Sequence, residues 1–297
     1  MADAADSIGF IGLGAMGYGM ACNMVQAGLP VVGYDVVPAA RERFATAGGG
    51  IAPSAAAAAQ GRGLLVLMVV DDKQANSVLF EHGAAAALVP GATVMLCATI
   101  APAATRAIAA RLAEDGRHLL DAPVSGGAIG ADAGTLSVMA SGPAVAFERA
   151  AATLAAISKT VHRLGEAPGL GSTYKVVHQL AAGVNLVAAA EVMALGRCAG
   201  CDPDTLVQVI SSSAGQSWMF DDRVPRMLQD EPRVASAIDI LLKDLNLVLD
   251  TGNANQVPLP LAAAARQMML AAAALGHGRA DDSAVVKAYE ALMSAPD

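Results

Sequence analysis

The chain's 297 residues suit two domains or one large one. With 55% of residues hydrophobic and only 3% aromatic, a core must be assembled mainly from Ala, Leu, Val and Met. The formal net charge of −8 argues against nucleic acid as a partner, although a few placed cations can still receive a small anion.

The first predicted element is an apolar strand, residues 8–11, and it runs straight into Gly12-Leu13-Gly14-Ala15-Met16-Gly17. Met16, Met20, Met24 and Val25 then recur at helical spacing up to Gly28, a fitting C-cap. A second strand, residues 31–34, ends in Asp35. Strand, glycine turn, helix, strand and an acid about 20 residues on is the pattern of a dinucleotide-binding unit. Gly12 permits the tight turn, Gly14 lets backbone N–H groups approach a pyrophosphate, and Gly17 lets helix and strand pack closely. The residues expected to touch the dinucleotide are therefore Gly12, Leu13, Gly14, Ala15, Met16, Gly17 and Asp35. A carboxylate at Asp35 would bond the ribose hydroxyls and repel a 2′-phosphate, which points to NAD. Arg41 and Arg43 follow on a predicted helix start and read as solvated. The bland alternative is a glycine-rich turn that binds nothing.

A helix over residues 39–47 leads to a buried apolar strand at 64–70. Helices near 72–80 and 84–88 precede a strand at 93–97. A helix over 102–115 is followed by a strand at 117–121, and later strands are predicted at 136–140 and 161–164. Helices alternating with wholly apolar strands predict an α/β fold, a Rossmann-like, doubly wound parallel sheet at the N-terminus. From residue 169 the strand pattern stops, and helices are predicted over 171–199, 203–212, 234–252, 260–276 and 281–293. The expected organisation is an NAD-binding domain over residues 1–167 and an all-helical C-terminal domain over 168–297 for substrate and dimerisation. A cleft between two such domains is where a substrate would meet the cofactor.

Residues 1–6 are polar and acidic, without the pattern of a secretory signal. The apolar stretch 180–199 is interrupted by Asn185, Glu191 and Arg197, which fits a core helix better than a membrane span. Of the four cysteines, Cys198 and Cys201 form a CxxC without a second pair. Free thiols, no metal and a cytoplasmic location are expected.

Some polar residues do not belong in a core. Lys175 and His178 lie three apart, hence on one face, in the first turns of an otherwise apolar helix. The lysine can snorkel or pair with an acid. Alternatively it acts on a substrate hydroxyl or carbonyl, since desolvation would make it a workable acid/base. Asp239, Lys243, Asn246 and Asp250 recur at helical spacing, either as a solvated stripe or as part of a site. In Asp121-Ala122-Pro123-Val124-Ser125-Gly126-Gly127, the serine and glycines offer backbone N–H groups suited to a carboxylate, or are simply a flexible loop.

Together the glycine turn, the segment 121–127 with Gly130-Ala131 and Gly134-Thr135, the segment 171–175, and Lys243-Asp244-Leu245 resemble the β-hydroxyacid dehydrogenase family. The resemblance runs from Ile8 to about Lys287. It implies oxidation of a small hydroxy acid by hydride transfer to NAD, with Lys175 as the catalytic acid/base. It also implies that Ser125, Gly126 and Gly127 hold the substrate carboxylate. Lys243 would sit by nicotinamide and substrate, supported by Asp244, and Val69, Val70 and Thr99 would contact the cofactor. The family usually places Asn three residues after the lysine, where this chain has His178. With residues 175–184 and 214–220, that departure is similar to the L-threonate dehydrogenase branch. There His178 would bind substrate and Trp218 would wall the pocket or pack in the core. Alternatives are a 3-hydroxyisobutyrate dehydrogenase, a 2-hydroxy-3-oxopropionate reductase, or a cofactor-binding regulatory homologue without turnover. A homodimer or homotetramer is expected, with neither nucleic acid nor membrane as partner.

Overall fold

The structure, a computed structural model, describes residues 7–293. Its elements in chain order are β1 (Ile8–Ile11), α1 (Ala15–Gln26), β2 (Val31–Tyr34), α2 (Pro38–Thr46), β3 (Gly50–Ile51), α3 (Ala55–Ala59), β4 (Leu64–Leu67) and α4 (Asp72–Asn76). There follow α5 (Ala84–Ala87), β5 (Thr93–Leu96), α6 (Pro102–Glu114), β6 (His118–Asp121), β7 (Val124–Ser125), α7 (Gly127–Asp132), β8 (Leu136–Ala140), α8 (Ala144–Ile157) and β9 (Ser158–Arg163). Helices α9 (Leu170–Cys198), α10 (Pro203–Ser211), α11 (Trp218–Met227), α12 (Ile238–Ala254), α13 (Pro260–Ala272) and α14 (Val286–Met293) complete it. The chain divides into two compact units, Met1–Lys175 and Val176–Asp297, so α9 runs through the division point. The sequence-based boundary lies earlier, in the turn ahead of α9.

In the first unit, six parallel strands stand in the order β3-β2-β1-β4-β5-β6. All four positions of β1, β4 and β5 are buried, as expected for strands covered on both faces. Successive side chains serve opposite faces. Leu64 and Val66 feed one core with Phe10, Met20 and Phe44, while Leu65 and Leu67 feed the other with Leu79, Leu96 and Ile108. The strand order reverses at β1, so the turn after it lies at the topological switch point, where ligands of such sheets bind.

The later strands depart from expectation. Instead of extending the parallel sheet, β7, β8 and β9 form a separate three-stranded one. β7 pairs antiparallel with β8, and β9 parallel with it, after the right length of crossover is supplied by α8. An isolated bridge between Asp121 and Ser141 ties β6 to this sheet. α7 is a helix that the sequence reading did not include, and Asn23 of α1 donates to its Ala131 carbonyl at 2.6 Å.

The second unit is helical, around Leu186, Val187, Leu241, Leu245, Val248 and Met269. It contains one helix absent from the sequence reading, α11. That helix buries Met219, Phe220 and Val224, but Pro225 and the buried Arg223 and Arg226 interrupt its apolar pattern. The arginines are paired rather than solvated. Both bond Asp222, Arg223 Nε donates to Asp282 at 2.6 Å, and Arg226 Nη1 donates to Asp281 at 3.2 Å. By length and composition, α9 is the one helix among the described residues that could cross a membrane.

The start of α9 is fixed from outside the helix. Asp121, fully buried at the end of β6, accepts at Oδ2 from the backbone N–H of Gly169 (2.9 Å) and of Ser172 (2.8 Å). Its Oδ1 accepts from Ser172 Oγ at 2.7 Å, and Ser172 Oγ lies 2.8 Å from Thr105 Oγ1. The helix therefore begins with two orphan donors satisfied by a carboxylate of the sheet. Burial pushes the Asp121 carboxyl above its ordinary range, while the bonds from Ser172, Gly169 and Ser141 pull it down. Asp121→Ala should lower stability by roughly 2–6 kcal/mol, because two buried N–H groups lose their acceptor. Asp121→Asn should stay within about 1 kcal/mol of the parent, since an amide oxygen still accepts both. Urea unfolding midpoints at constant m-value check the ordering.

Candidate active site

Three adjacent glycine positions differ in what surrounds them. Gly12 has φ +95°, and a Cβ there would lie 2.1 Å from the Met68 carbonyl oxygen. A Cβ on Gly17 would lie 1.8 Å from the Gly12 carbonyl oxygen. At Gly14 a Cβ would meet no protein atom within 4 Å. The first two glycines are thus required by packing, whereas the third borders open space at the start of α1. Gly14 is the N-cap of α1, and no side chain caps that helix. Its first-turn N–H groups and positive dipole end face that space, the arrangement that receives a pyrophosphate. Leu13 is buried, Gly14 and Ala15 are exposed, and Met16 is half-buried.

Asp35 stands beside this turn. Its Oδ2 accepts from Leu13 N–H at 2.7 Å and its Oδ1 from Val37 N–H at 2.8 Å. A carboxylate offers about four acceptor sites, so the two bonds orient the group without saturating it. Arg41 is half-buried and departs from the solvated reading, whereas Arg43 is exposed, as expected. Arg41 donates to the Asp35 carbonyl at 2.9 Å and lies 5.5 Å from the Tyr34 ring centroid. Arg43 stacks 3.7 Å over Tyr18. Aromatic faces at both positions draw the guanidinium groups in. Val69 and Val70 form the turn after β4, where Val70 N–H donates to Gln74 Oε1 at 3.0 Å, and half-buried Thr99 follows β5. The glycine turn, the aimed acid and the strand-end turns fit NAD.

The predicted substrate residues fall in two groups. In the first unit, half-buried Ser125 pairs with Ser137 across β7 and β8, and Gly126 and Gly127 follow at φ +133° and +61°. Lys175, 5% exposed, lies in the first turns of α9, the segment that Asp121 anchors. In the second unit, four residues form one hydrogen-bonded chain. His178 Nδ1 lies 2.9 Å from Gln179 Oε1, Gln179 Nε2 donates to Asp244 Oδ2 at 2.5 Å, and Lys243 Nζ donates to Asp244 Oδ1 at 2.7 Å. The stripe on α12 is therefore not simply solvated: Lys243 is paired with buried Asp244, and Asn246 accepts from Arg266 at 2.6 Å. Trp218 is 56% exposed at the start of α11, which removes the core-packing alternative for it.

Two contributors escaped sequence reasoning. Gln179 is a buried amide on an apolar helix, and its position four residues after Lys175 was the available signal. Asp121 read as the edge of a glycine motif, because its partners lie some 50 residues away in the chain, at separations of 48 and 51.

Comparisons with known proteins agree with this geometry. Residues 7–165 match the NAD-binding domain family of 6-phosphogluconate dehydrogenase. Residues 169–289 match the family described as the NAD-binding of NADP-dependent 3-hydroxyisobutyrate dehydrogenase. The chain is 48% identical to an L-threonate dehydrogenase of Cupriavidus necator, over 96% of this chain and 97% of that protein. It is 33% identical to a 2-hydroxy-3-oxopropionate reductase of Escherichia coli, over 97% of this chain and 98% of that protein. A crystal structure of a 3-hydroxyisobutyrate dehydrogenase from Salmonella typhimurium matches with TM-score 0.89 and 44% identity, covering 95% of this chain and 99% of that one. A dinucleotide turn, a helical second half and near-complete coverage by dehydrogenases make this chain a member of the β-hydroxyacid dehydrogenase family, NAD-dependent oxidoreductases that act on the CH–OH group of hydroxy acids.

Proposed function

We propose that this dehydrogenase oxidises the C2 hydroxyl of L-threonate to give 2-dehydro-L-erythronate. The observation that carries the reading is the pairing, one helical turn apart on α9, of Lys175 with an imidazole held in place by Gln179. An imidazole can both donate and accept, which suits a polyhydroxylated acid better than one with a single hydroxyl. The names of relatives 48% and 45% identical to this chain support the same substrate. The runner-up is 3-hydroxyisobutyrate, from the name of the structural relative at 44% identity.

NAD, when bound, supplies the hydride acceptor. Gly12 to Gly17 would hold its pyrophosphate, Asp35 its adenosine ribose, and Val69, Val70 and Thr99 would line it, with Lys243 beside the nicotinamide. The Asp35 carboxylate favours NAD over a cofactor with a 2′-phosphate. The Gly126 and Gly127 backbone, with Ser125, would hold the substrate carboxylate. Lys175 Nζ would take the hydroxyl proton as the C–H bond breaks. His178 would bond a second hydroxyl, with Trp218 walling the pocket. We place the enzyme in the cytoplasm as a homodimer or homotetramer, in which exposed Val177 and Leu195 of α9 suit a subunit contact.

The two kinds of glycine should separate experimentally. Gly14→Ala should fold normally yet bind NAD at least about 10-fold more weakly, a loss of about 1.4 kcal/mol. Gly17→Ala should instead lose about 1–3 kcal/mol of stability through overpacking. Calorimetric NAD titration and urea unfolding of both variants read the difference.

Lys175→Ala should keep NAD binding and lose at least about 100-fold in kcat, since a positioned proton acceptor typically contributes about 10²–10⁴-fold. Near-native turnover in that variant would return the lysine to a packing role. For His178→Asn, the ratio of kcat/KM for L-threonate over 3-hydroxyisobutyrate should fall roughly 5- to 100-fold, the range for a lost bond and an unpaired polar group. An unchanged ratio would detach His178 from substrate choice and leave the runner-up standing.

A further inference from the structure

We infer that Gln179 is a positioning residue that fixes the tautomer of His178, so that the neutral ring carries its proton on Nδ1 and offers Nε2 as an acceptor to a substrate hydroxyl. The inference rests on the reading of His178 as a substrate residue and goes beyond it by assigning the polarity of the contact.

The assignment follows from what each group can do. Asp244 is buried and its Oδ1 receives the Lys243 ammonium at 2.7 Å. An ionised carboxylate only accepts, so the end of the Gln179 amide that meets Oδ2 at 2.5 Å must be its NH₂ group. The amide oxygen then necessarily points the other way, toward His178 Nδ1 at 2.9 Å. An amide oxygen also only accepts, so Nδ1 must carry the hydrogen. A neutral imidazole has a single N–H, and Nε2 is left as the ring's acceptor. Gln179 is 8% exposed and Asp244 4%, so bulk water does not compete for either bond.

The chain of groups thus has a direction: ammonium to carboxylate, amide to carboxylate, imidazole to amide. Its last atom selects a donor. A hydroxyl can donate to Nε2, whereas a carbonyl, a carboxylate oxygen or a methyl group at the same place cannot. The three supporting residues lie on two different helices, α9 and α12, so the orientation is enforced by tertiary structure and not by the local helix alone.

The test uses the full-length enzyme with ¹⁵N-labelled histidine and two-bond proton–nitrogen correlation at a pH where the imidazole is neutral. His178→Asn identifies the His178 signals among those of the chain's 5 histidines. The parent should show the Nδ1–H tautomer at His178. Gln179→Met should move the population toward Nε2–H and lower the L-threonate over 3-hydroxyisobutyrate ratio of kcat/KM by about 5- to 30-fold. Should that variant fold poorly, Asp244→Asn provides the second measurement, by spectroscopy alone. The new amide must turn its oxygen to the Lys243 ammonium and its NH₂ to Gln179, so the Gln179 amide inverts and the tautomer should switch to Nε2–H. An Nε2–H tautomer in the parent, or a pure Nδ1–H tautomer surviving in the folded variants, overturns the proposal. If the parent shows Nδ1–H yet neither Gln179→Met nor His178→Asn changes the ratio, the substrate reading of His178 fails while the tautomer assignment stands.

Discussion

The hydrogen bonding of Asp121 is the constraint from which the placement of Lys175 follows. A helix N-terminus normally finds its acceptors in a side chain of its own first turn or just before it. Here the preceding residues are Pro168 and Gly169, which offer no such side chain, and the acceptor comes from the end of β6. This couples the origin of α9 to the sheet and sets the lysine one turn further along. The geometry is exacting because Asp121 uses both oxygens and because Ser172, Ser141 and Thr105 fill the space around it. A charge so deeply buried would be costly without those donors. The sheet, not the helix, therefore dictates where Nζ begins.

Small residues carry the rest of the first unit. A chain with 3% aromatics has few large side chains with which to fill space, and the two largest fully buried ones, Phe10 and Phe44, sit in one core. Close approach of backbone replaces bulk. Gly17 against the Gly12 carbonyl brings α1 onto the end of β1, and that approach leaves Gly14 facing open space. Packing thus requires two of these three glycines, and the open space at the third is what a pyrophosphate would need. Asp35 completes the turn by accepting from Leu13 N–H, so the acid that would meet a ribose also holds the loop that would meet the phosphates.

The sequence was legible where local signals and tertiary demands coincide. The run from Ile8 to Asp35 needed only period, glycine placement and an acid at the right offset, and the structure builds it as a parallel βαβ unit. Lys175 and His178 stood out because charge on an apolar helix is anomalous. Legibility failed where the deciding partner is remote. Nothing near residues 136–140 says that β8 will take an antiparallel neighbour, β7, and leave the six-stranded sheet. α11 was hidden because Pro225 and two arginines interrupt its apolar face, and the acids that compensate Arg223 and Arg226, Asp282 and Asp281, come more than 50 residues later, at separations of 59 and 55. Gln179 was passed over for the same reason, since its meaning lies in Asp244, 65 residues on.

Asp121 and Asp244 solve the same problem in different ways. Each is a buried carboxylate that accepts from donors brought to it by a different part of the fold. At Asp121 the donors are backbone N–H groups, so what becomes oriented is a whole helix. At Asp244 the donor is a side-chain amide with two unlike ends, so what becomes oriented is a hydrogen-bond polarity, passed on to an imidazole. The first fixes position and tolerates any acceptor of similar shape. The second would fix which atom of the imidazole carries a proton, and an amide in place of the carboxylate would reverse it. Were His178 to bind substrate as proposed, the selectivity of the site would rest in part on Asp244, a residue that need not touch the substrate.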